Sequence, residues 1–161
     1  MTKEELINQL SLDQKISLLT GKNHWQIESV GPYKPTTLSD GPHGLRKPID
    51  LNDMIHLDQA IPSTCFPTAS GLANSWNKSL LYEVGQALGQ SAKSLAVSMI
   101  LGPGVNLKRH PFCGRNFEYF SEDPILTADL ASSMIEGIQS TGVGACVKHY
   151  ALNNQERLRM V

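Results

Sequence analysis

Apolar residues recur at helical spacing in two long segments of the chain. In the first segment, the residues that share one helix face are Leu81, Val84, Leu88, Ala92 and Leu95. In the second segment, they are Leu126, Leu130, Met134 and Ile138. Asn77 is a residue type that caps helices, and Asp123 followed by Pro124 is typical of a helix start. The pattern therefore predicts two amphipathic helices.

Three segments of strand length flank these helices. They are residues 36–39, 97–101 and 144–147, and apolar side chains dominate the second of them. Strands that are buried on both faces of a parallel sheet have short apolar runs of this kind. Strand, helix, strand, helix, strand is the order of parallel α/β architecture, which is the fold class that we predict.

The start of the chain predicts two short helices followed by long connections. Thr2 and Ser11 each begin a sequence with the spacing of a capping box. Residues 22–35 are predicted as loop, and residues 43–67 are a long polar connection broken by prolines. No repeat or linker-like change in composition occurs, so residues 1–161 are interpreted as one unit.

The composition argues against two classes of partner. The 161 residues include 14 basic and 15 acidic side chains, with a formal net charge of −1. This balance provides no basic surface, so we expect neither nucleic acid nor a membrane as a partner. No apolar run approaches the roughly 20 residues that a membrane span needs. The N-terminus lacks the layout of a signal peptide and the three cysteines form no CxxC pair, so we expect a cytoplasmic protein.

Polar side chains follow each of the three predicted strands. Asp40 follows the first strand, Asn106 and the loop to Arg115 follow the second, and Lys148 and His149 end the third. In a (β/α) barrel the carboxyl ends of the strands hold the active site, so we expect these groups to share one pocket. Together they offer the mixture of donors and acceptors that a sugar ring requires.

Each of these residues also has a simpler interpretation. Asp40-Gly41-Pro42 is ordinary turn chemistry, Lys148 can extend its side chain to solvent, and His149 can be a hydrogen-bonded core residue. Adjacent side chains of an extended strand point to opposite sides. Lys148 and His149 can therefore serve one pocket only if the backbone bends at this point.

The connection at residues 106–124 carries four of the chain's aromatic residues. They are Phe112, Phe117, Tyr119 and Phe120. We expect these rings to anchor the loop and so to hold Arg115 in place, where its guanidinium offers forked donors. The neighbouring carboxylates could be acid–base groups, but helix capping and structural ion pairing account for them equally well. They are Glu118, Glu122, Asp123 and Glu156.

The sequence predicts neither a cofactor nor a metal site. Residues 102–104 are too short for a dinucleotide-binding loop, and the five histidines lack the spacing of metal ligands. Ser70 lacks the flanking pattern of a nucleophile elbow.

Four longer motifs occur in the chain: SDGPHGLR, FPTASGLANSW, LGPGVNLKRHPFCGRNFEYFSEDP and VKHYALNNQE. In this order they resemble the N-terminal barrel domain of glycoside hydrolase family 3, to which β-glucosidases belong, and the resemblance covers essentially the whole chain. It implies that five residues bind the sugar ring before the cleaved bond. These are Asp40, Arg115, Lys148, His149 and Arg159.

The resemblance also implies that the catalytic residues lie beyond Val161, the last residue of the sequence. The family's nucleophile is an aspartate in a Ser-Asp-Trp or similar motif; no Ser-Asp-Trp occurs here, and the family's general acid/base comes later still, from another domain. A complete (β/α)₈ barrel needs about 250 residues. We therefore expect residues 1–161 to form the N-terminal portion of an incomplete TIM-barrel-like domain that is inactive alone.

The function implied by the resemblance is part of a retaining β-glucosidase that releases terminal β-D-glucosyl residues from short oligosaccharides or glucosides. The expected partners are the carbohydrate and the remainder of the same polypeptide. A β-xylosidase or β-N-acetylglucosaminidase of the same family, and a non-catalytic sugar-binding truncation, stay open. An incomplete barrel exposes an unpaired sheet edge, through which a homo-oligomer can form.

Overall fold

The computed structural model describes residues 2–31, 33–51, 59–150, 152–155 and 158. Within these ranges, the helices are α1 (Lys3–Asn8), α2 (Leu12–Leu18), α3 (Ala69–Ala73), α4 (Lys78–Ser94) and α5 (Pro124–Ser140). The strands are β1 (Gln26–Ile27), β2 (Thr36–Ser39), β3 (Met99–Ile100) and β4 (Gly144–Ala145). A 3₁₀ turn covers Asn116–Glu118. No helix in this described part of the chain has the length and apolar character to cross a membrane.

The strands form one sheet in the order β1-β2-β3-β4. The three strands β2, β3 and β4 run parallel, with Ser39 opposite Ile100 and Ile100 opposite Ala145. Helices connect these parallel strands, so the predicted parallel α/β architecture is confirmed. Strand β1 pairs with β2 in the antiparallel direction. It lies within the segment that was predicted as loop, because two residues are too few to show a periodic pattern.

Helices α4 and α5 pack against each other and supply most of the core. The predicted apolar faces are confirmed, with Leu88, Leu130 and Ile138 completely buried. Gly85 and Gly137 allow this close approach, because a Cβ atom on Gly137 would lie 2.1 Å from the Tyr82 carbonyl oxygen. These helices are therefore the hydrophobic layer behind the sheet.

The predicted caps are present at the helix starts. Asn77 Oδ1 accepts a hydrogen bond from the Leu80 amide at 3.1 Å, and Asp123 Oδ1 accepts one from the Ile125 amide at 2.7 Å. Thr2 and Ser11 each complete a capping box at the start of α1 and α2. Neither of these two short helices contains a buried residue. Local hydrogen bonds rather than core packing therefore define them.

Strand β2 has the predicted bounds, whereas β3 and β4 are each shorter than the sequence predicts. Cys146 and Val147 were interpreted as the end of a buried strand, but Cys146 is exposed and Val147 is 47% exposed. That interpretation is wrong because β4 is the last strand of the described sheet, so no further strand covers this edge. The part of the prediction that stands is the parallel pairing of β4 with β3.

Candidate functional site

The carboxyl ends of the parallel strands bring charged groups from distant segments together. Asp40 directly follows β2, Lys148 lies three residues after β4, and the Lys148 ammonium donates to Asp40 Oδ1 at 2.7 Å. The same ammonium lies 3.3 Å from Oε2 of Glu118. One lysine therefore joins a carboxylate from the loop after β2 to a carboxylate from the loop after β3.

Glu118 is the buried centre of this arrangement. It belongs to the 3₁₀ turn and is only 4% exposed. Its Oε1 atom accepts a hydrogen bond from Nε of Arg115, while Oε2 faces Lys148. Its carboxylate thus lies between two cations. The structure shows the pairing role that the sequence offered as one interpretation of this carboxylate.

His149 extends the network through both ring nitrogens. Nε2 lies 2.8 Å from Nη2 of Arg115, and Nδ1 lies 3.0 Å from the Tyr119 hydroxyl. Because a guanidinium can only donate, Nε2 must be the acceptor, and Nδ1 therefore carries the proton of a neutral ring. Burial and the charges of Arg115 and Lys148 lower the pKa of His149, which favours the same neutral form.

Backbone contacts fix the chain around Lys148 and His149. The Lys148 amide donates to the Pro103 carbonyl at 3.1 Å, and its carbonyl accepts from the Val105 amide at 2.8 Å. The His149 amide donates to Asn106 Oδ1 at 2.9 Å. The peptide bond between Lys148 and His149 is cis. Both side chains belong to the same network, as the prediction of a bent backbone requires.

Asp40 sits at the start of a tight loop. Its carbonyl accepts from the Arg46 amide at 2.9 Å, so the loop closes on itself. Burial by itself would raise the pKa of Asp40. The hydrogen bond and charge of Lys148, together with the Gly41 amide and the charge of Arg46, outweigh burial and place this pKa below its usual value. Asp40 is therefore ionised. It begins a turn and also belongs to the network, so the two interpretations of this residue are compatible.

The described part of the chain contains a pocket of about 400 Å³ beside this network. Asp40, Arg115 and Glu118 line it, together with Phe117, His43 and Arg46. This volume lies within the range of small-molecule sites. His43 and Arg46 were not among the site residues predicted from the sequence. Both belong to the SDGPHGLR motif, which was the available signal.

Further polar residues support the pocket, and of these only Asn106 was placed near the site from the sequence, after the second predicted strand. Asn106 is 8% exposed and holds the His149 amide. The Tyr119 hydroxyl accepts from Asn153 Nδ2 at 2.7 Å and contacts His149. Glu118 had been weighed as a cap, as a structural pairing residue or as an acid–base group, but not as a residue that holds the two cations of the site. No local pattern distinguishes such residues, because their partners come from other segments of the chain.

The aromatic residues of the loop do not all act as anchors. Tyr119 and Phe120 are buried, at 0% and 2% exposure. Phe112 and Phe117 are 88% and 52% exposed, so the prediction that all four rings anchor the loop is wrong for these two. Phe112 and Phe117 flank Arg115 in a stretch whose anchors are the two buried rings that follow it.

Four of the five predicted site residues meet in this one network. Asp40, Arg115, Lys148 and His149 are linked directly or through Glu118. Among the described residues, no group of three or more histidine, cysteine, aspartate or glutamate side chains could hold a metal ion. The network can present donors and acceptors to a neutral polyhydroxyl ligand.

The last residues of the chain are described only in part. Arg159, the fifth predicted site residue, lies outside the described residues, and so do Glu156 and Val161. The nucleophile and the general acid/base were expected beyond Val161, where the structure provides no test. Their location, like the role of Arg159, therefore stays a prediction.

Comparisons with known proteins point to one family. Residues 36–155 match the family model described as "Glycosyl hydrolase family 3 N terminal domain". The thermostable beta-glucosidase B of Acetivibrio thermocellus is 49% identical over 160 residues, which are 98% of this chain and 21% of the relative. An exo-alpha-(1->6)-L-arabinopyranosidase of Bifidobacterium longum is 45% identical over 96% of this chain and 21% of its own length.

A solved structure shows the same fold. Beta-glucosidase 3B from Thermotoga neapolitana, in complex with alpha-D-glucose, superposes with a TM-score of 0.84 at 39% sequence identity. The superposition covers 95% of this chain and 23% of that chain. The chain thus spans about a fifth of the length of the relatives that it matches.

Proposed function

The chain belongs to glycosyl hydrolase family 3, and on this premise we propose that it forms the sugar-binding wall of a β-glucosidase-like enzyme. The observation that carries the proposal is the network that joins Asp40, Lys148, Glu118 and Arg115 beside a pocket at the strand ends. The substrate is a terminal β-D-glucosyl residue of a short oligosaccharide or glucoside.

The charges of the pocket suit a pyranose ring. Asp40 is ionised and can accept hydrogen bonds from two neighbouring hydroxyls, and such charge-assisted bonds are stronger than neutral ones. Arg115 and Lys148 donate to ring oxygens. Because Glu118 holds both cations, little reorganisation is needed when the ring binds and flattens towards the transition state. We propose that Arg159 completes the same sugar-binding set.

We propose that the reacting carboxyls lie beyond Val161, in other parts of the complete enzyme. Retaining hydrolysis needs two carboxyl groups about 5–5.5 Å apart, one as nucleophile and one as acid/base. In this chain Asp40 and Glu118 are both paired with Lys148, which suits binding rather than nucleophilic attack. The isolated chain is therefore expected to lack turnover.

One observation favours a second candidate substrate. The relative from Bifidobacterium longum carries the name of an arabinopyranosidase at an identity close to that of the β-glucosidases. A terminal α-L-arabinopyranosyl residue is therefore the competing substrate for the same pocket. β-Xylosidase and β-N-acetylglucosaminidase activity stay predictions of lower rank.

The test is a chimera in which this chain replaces its matched part of the Acetivibrio thermocellus enzyme. We expect hydrolysis of 4-nitrophenyl β-D-glucoside, with kcat/KM reduced at least about 100-fold by Asp40→Asn or Lys148→Met. The matched control is Lys78→Met, since Lys78 is an exposed lysine on α4. A chimera that folds but cleaves no glycoside would overturn the proposal, and preference for the arabinopyranoside would select the second candidate.

Two further proposals concern the setting of the protein. The exposed edge of β4 is covered by the remainder of the polypeptide, and homo-oligomers of the isolated chain form when it is not. Size-exclusion chromatography of the isolated chain and of the chimera shows which of them forms oligomers. The cytoplasmic location stays a prediction that cell fractionation checks.

A further inference from the structure

His43 occupies a tightly specified position in the loop beside Asp40. The residues on either side of the Pro42-His43 pair are Gly41 and Gly44, with φ angles of +106° and +139°. A Cβ on Gly44 would lie 2.4 Å from the Thr64 carbonyl oxygen, so a side chain does not fit there. The His43 carbonyl accepts from the Phe66 amide at 2.7 Å. The backbone therefore holds the imidazole against the pocket.

The imidazole of His43 has no hydrogen-bond partner within the described part of the chain. Both ring nitrogens are buried, and neither is paired. By contrast, the charged residues Asp40, Glu118 and Arg115 of the same pocket wall all have partners. Lys148 pairs with the two carboxylates, and Glu118 also pairs with Arg115. Folded proteins rarely leave a buried polar group unsatisfied, and the exceptions often have a functional reason.

The ring of His43 is neutral and lines the pocket. Burial lowers its pKa, with Lys148 acting in the same direction and the charges of Glu118 and Asp40 opposing them. Phe117 is an aromatic neighbour, with its ring centre 6.2 Å away at a tilt of 58°. A neutral imidazole offers one donor and one acceptor. The cations around it only donate, and the carboxylates only accept.

We propose that His43 is a further sugar-contacting residue, whose neutral imidazole turns into the pocket and exchanges hydrogen bonds with one hydroxyl of the bound ring. A hydroxyl both donates and accepts, so the imidazole matches it in a way that the surrounding charged groups do not. The movement needed is a rotation of the side chain, because both nitrogens are closed to solvent in the free chain. This inference rests on the proposed function of the same pocket.

The experiment uses the chimera with the Acetivibrio thermocellus enzyme, since this chain alone spans 21% of that relative. The variants are His43→Phe and His43→Ala, which remove both nitrogens, and His43→Gln, which keeps a donor and an acceptor. The matched control is His24→Phe, because His24 is exposed and does not line the pocket. The measurements are kcat, KM for the aryl glucoside and Ki for D-glucono-1,5-lactone.

His43→Phe and His43→Ala are expected to raise Ki and KM about tenfold, the loss of a hydrogen bond to a buried partner. His43→Gln should stay within about threefold of the parent, and His24→Phe should change neither constant. A second readout is the Tm of the free chain, where His43→Phe should equal or exceed the parent because an unpaired buried group has been removed.

The outcomes separate this inference from its premise. A chimera without activity overturns the proposed function and the inference with it. An active chimera in which His43→Phe and His43→Ala leave KM and Ki unchanged overturns the inference alone. A lower Tm for His43→Phe together with unchanged binding constants assigns His43 to packing against Phe117 and also overturns it. If His43→Phe does not fold, His43→Ala decides.

Discussion

The α4–α5 helix pair and the strand-end network are held together by different physics. Apolar burial stabilises the helix pair, and burial has no required direction, so any side chain of suitable size and shape contributes. Ion pairs and hydrogen bonds hold the network, and each depends on the position of a particular partner. The helix pair therefore supplies most of the hydrophobic core, and the network is the region proposed to bind the sugar.

The two regions also differ in how far along the chain their contacts reach. Helix faces repeat every three or four residues, so one segment alone defines them. In the network, Asp40 and Lys148 are 108 positions apart. Changes in the helix pair should therefore lower stability without a specific effect on ligand binding. Changes in the network should impair ligand binding and lower stability by a smaller amount.

The largest expected effect is on the helix pair. Leu88 is completely buried in α4, so Leu88→Ala should lower the free energy of unfolding by about 2–5 kcal/mol through lost burial and a residual cavity. Leu12→Ala is the control, since Leu12 is 72% exposed and should change stability by less than about 0.5 kcal/mol. Urea unfolding followed by circular dichroism measures both, and equal losses would contradict the assignment of the core.

The next effect tests the centre of the network. Lys148→Met leaves the carboxylates of Asp40 and Glu118 without their shared cation. Removing one partner of a buried pair is costly, but Asp40 is 36% exposed, so screening reduces the expected loss to about 2 kcal/mol. The loss should shrink as the pH falls below about 4, because the unfolded chain then protonates Asp40 while Lys148 keeps the pKa of the folded Asp40 lower.

Lys78→Met is the matched comparison for Lys148→Met. Lys78 lies 3.5 Å from Asp129 on the surface, with side-chain exposures of 60% and 57%. An exposed pair of this kind contributes about 0–1 kcal/mol. If the two substitutions had the same effect on unfolding in urea, the network would be no more than a surface ion pair.

The sequence predicted the helix pair better than it predicted the network. Leu81, Leu88 and Leu130 were assigned to buried faces from spacing alone, because an amphipathic helix repeats its signal over several turns. The caps at Asn77 and Asp123 could be predicted equally well from the sequence, because capping depends on residues only two or three positions away.

The strand ends could be predicted only in part. Parallel pairing placed Asp40, Arg115 and Lys148 near one another, because the ends of parallel strands meet at one edge. The burial of Glu118 between two cations and the unpaired ring of His43 depend on distances across the fold. The exposed end of β4 was missed for a similar reason, since a short apolar run does not reveal whether a neighbouring strand covers it.

A smaller effect is expected at the start of α5, where the sequence signal was clearest. Asp123→Ala removes the acceptor for the amides of Ile125 and Leu126. Loss of such a cap lowers the free energy of unfolding by about 1 kcal/mol. Glu122→Ala, one residue earlier and also exposed, should change it by less than about 0.5 kcal/mol. Similar thermal shifts for both variants would show that Asp123 does not stabilise the helix.

The smallest effect is the pH dependence that the network gives to stability. Burial, with the charges of Arg115 and Lys148, lowers the pKa of His149 in the folded chain below its usual value of about 6.5. As the pH falls from about 7.5 to about 5.5, the unfolded chain binds a proton that the folded chain resists, so the free energy of unfolding decreases. His149→Gln removes this titration and should make the decrease shallower by less than about 1 kcal/mol over that interval. His24→Gln, at an exposed position outside the network, is the matched control variant. Urea unfolding at several pH values measures the slopes, and a parent slope retained by His149→Gln would mean that His149 does not couple the network to pH.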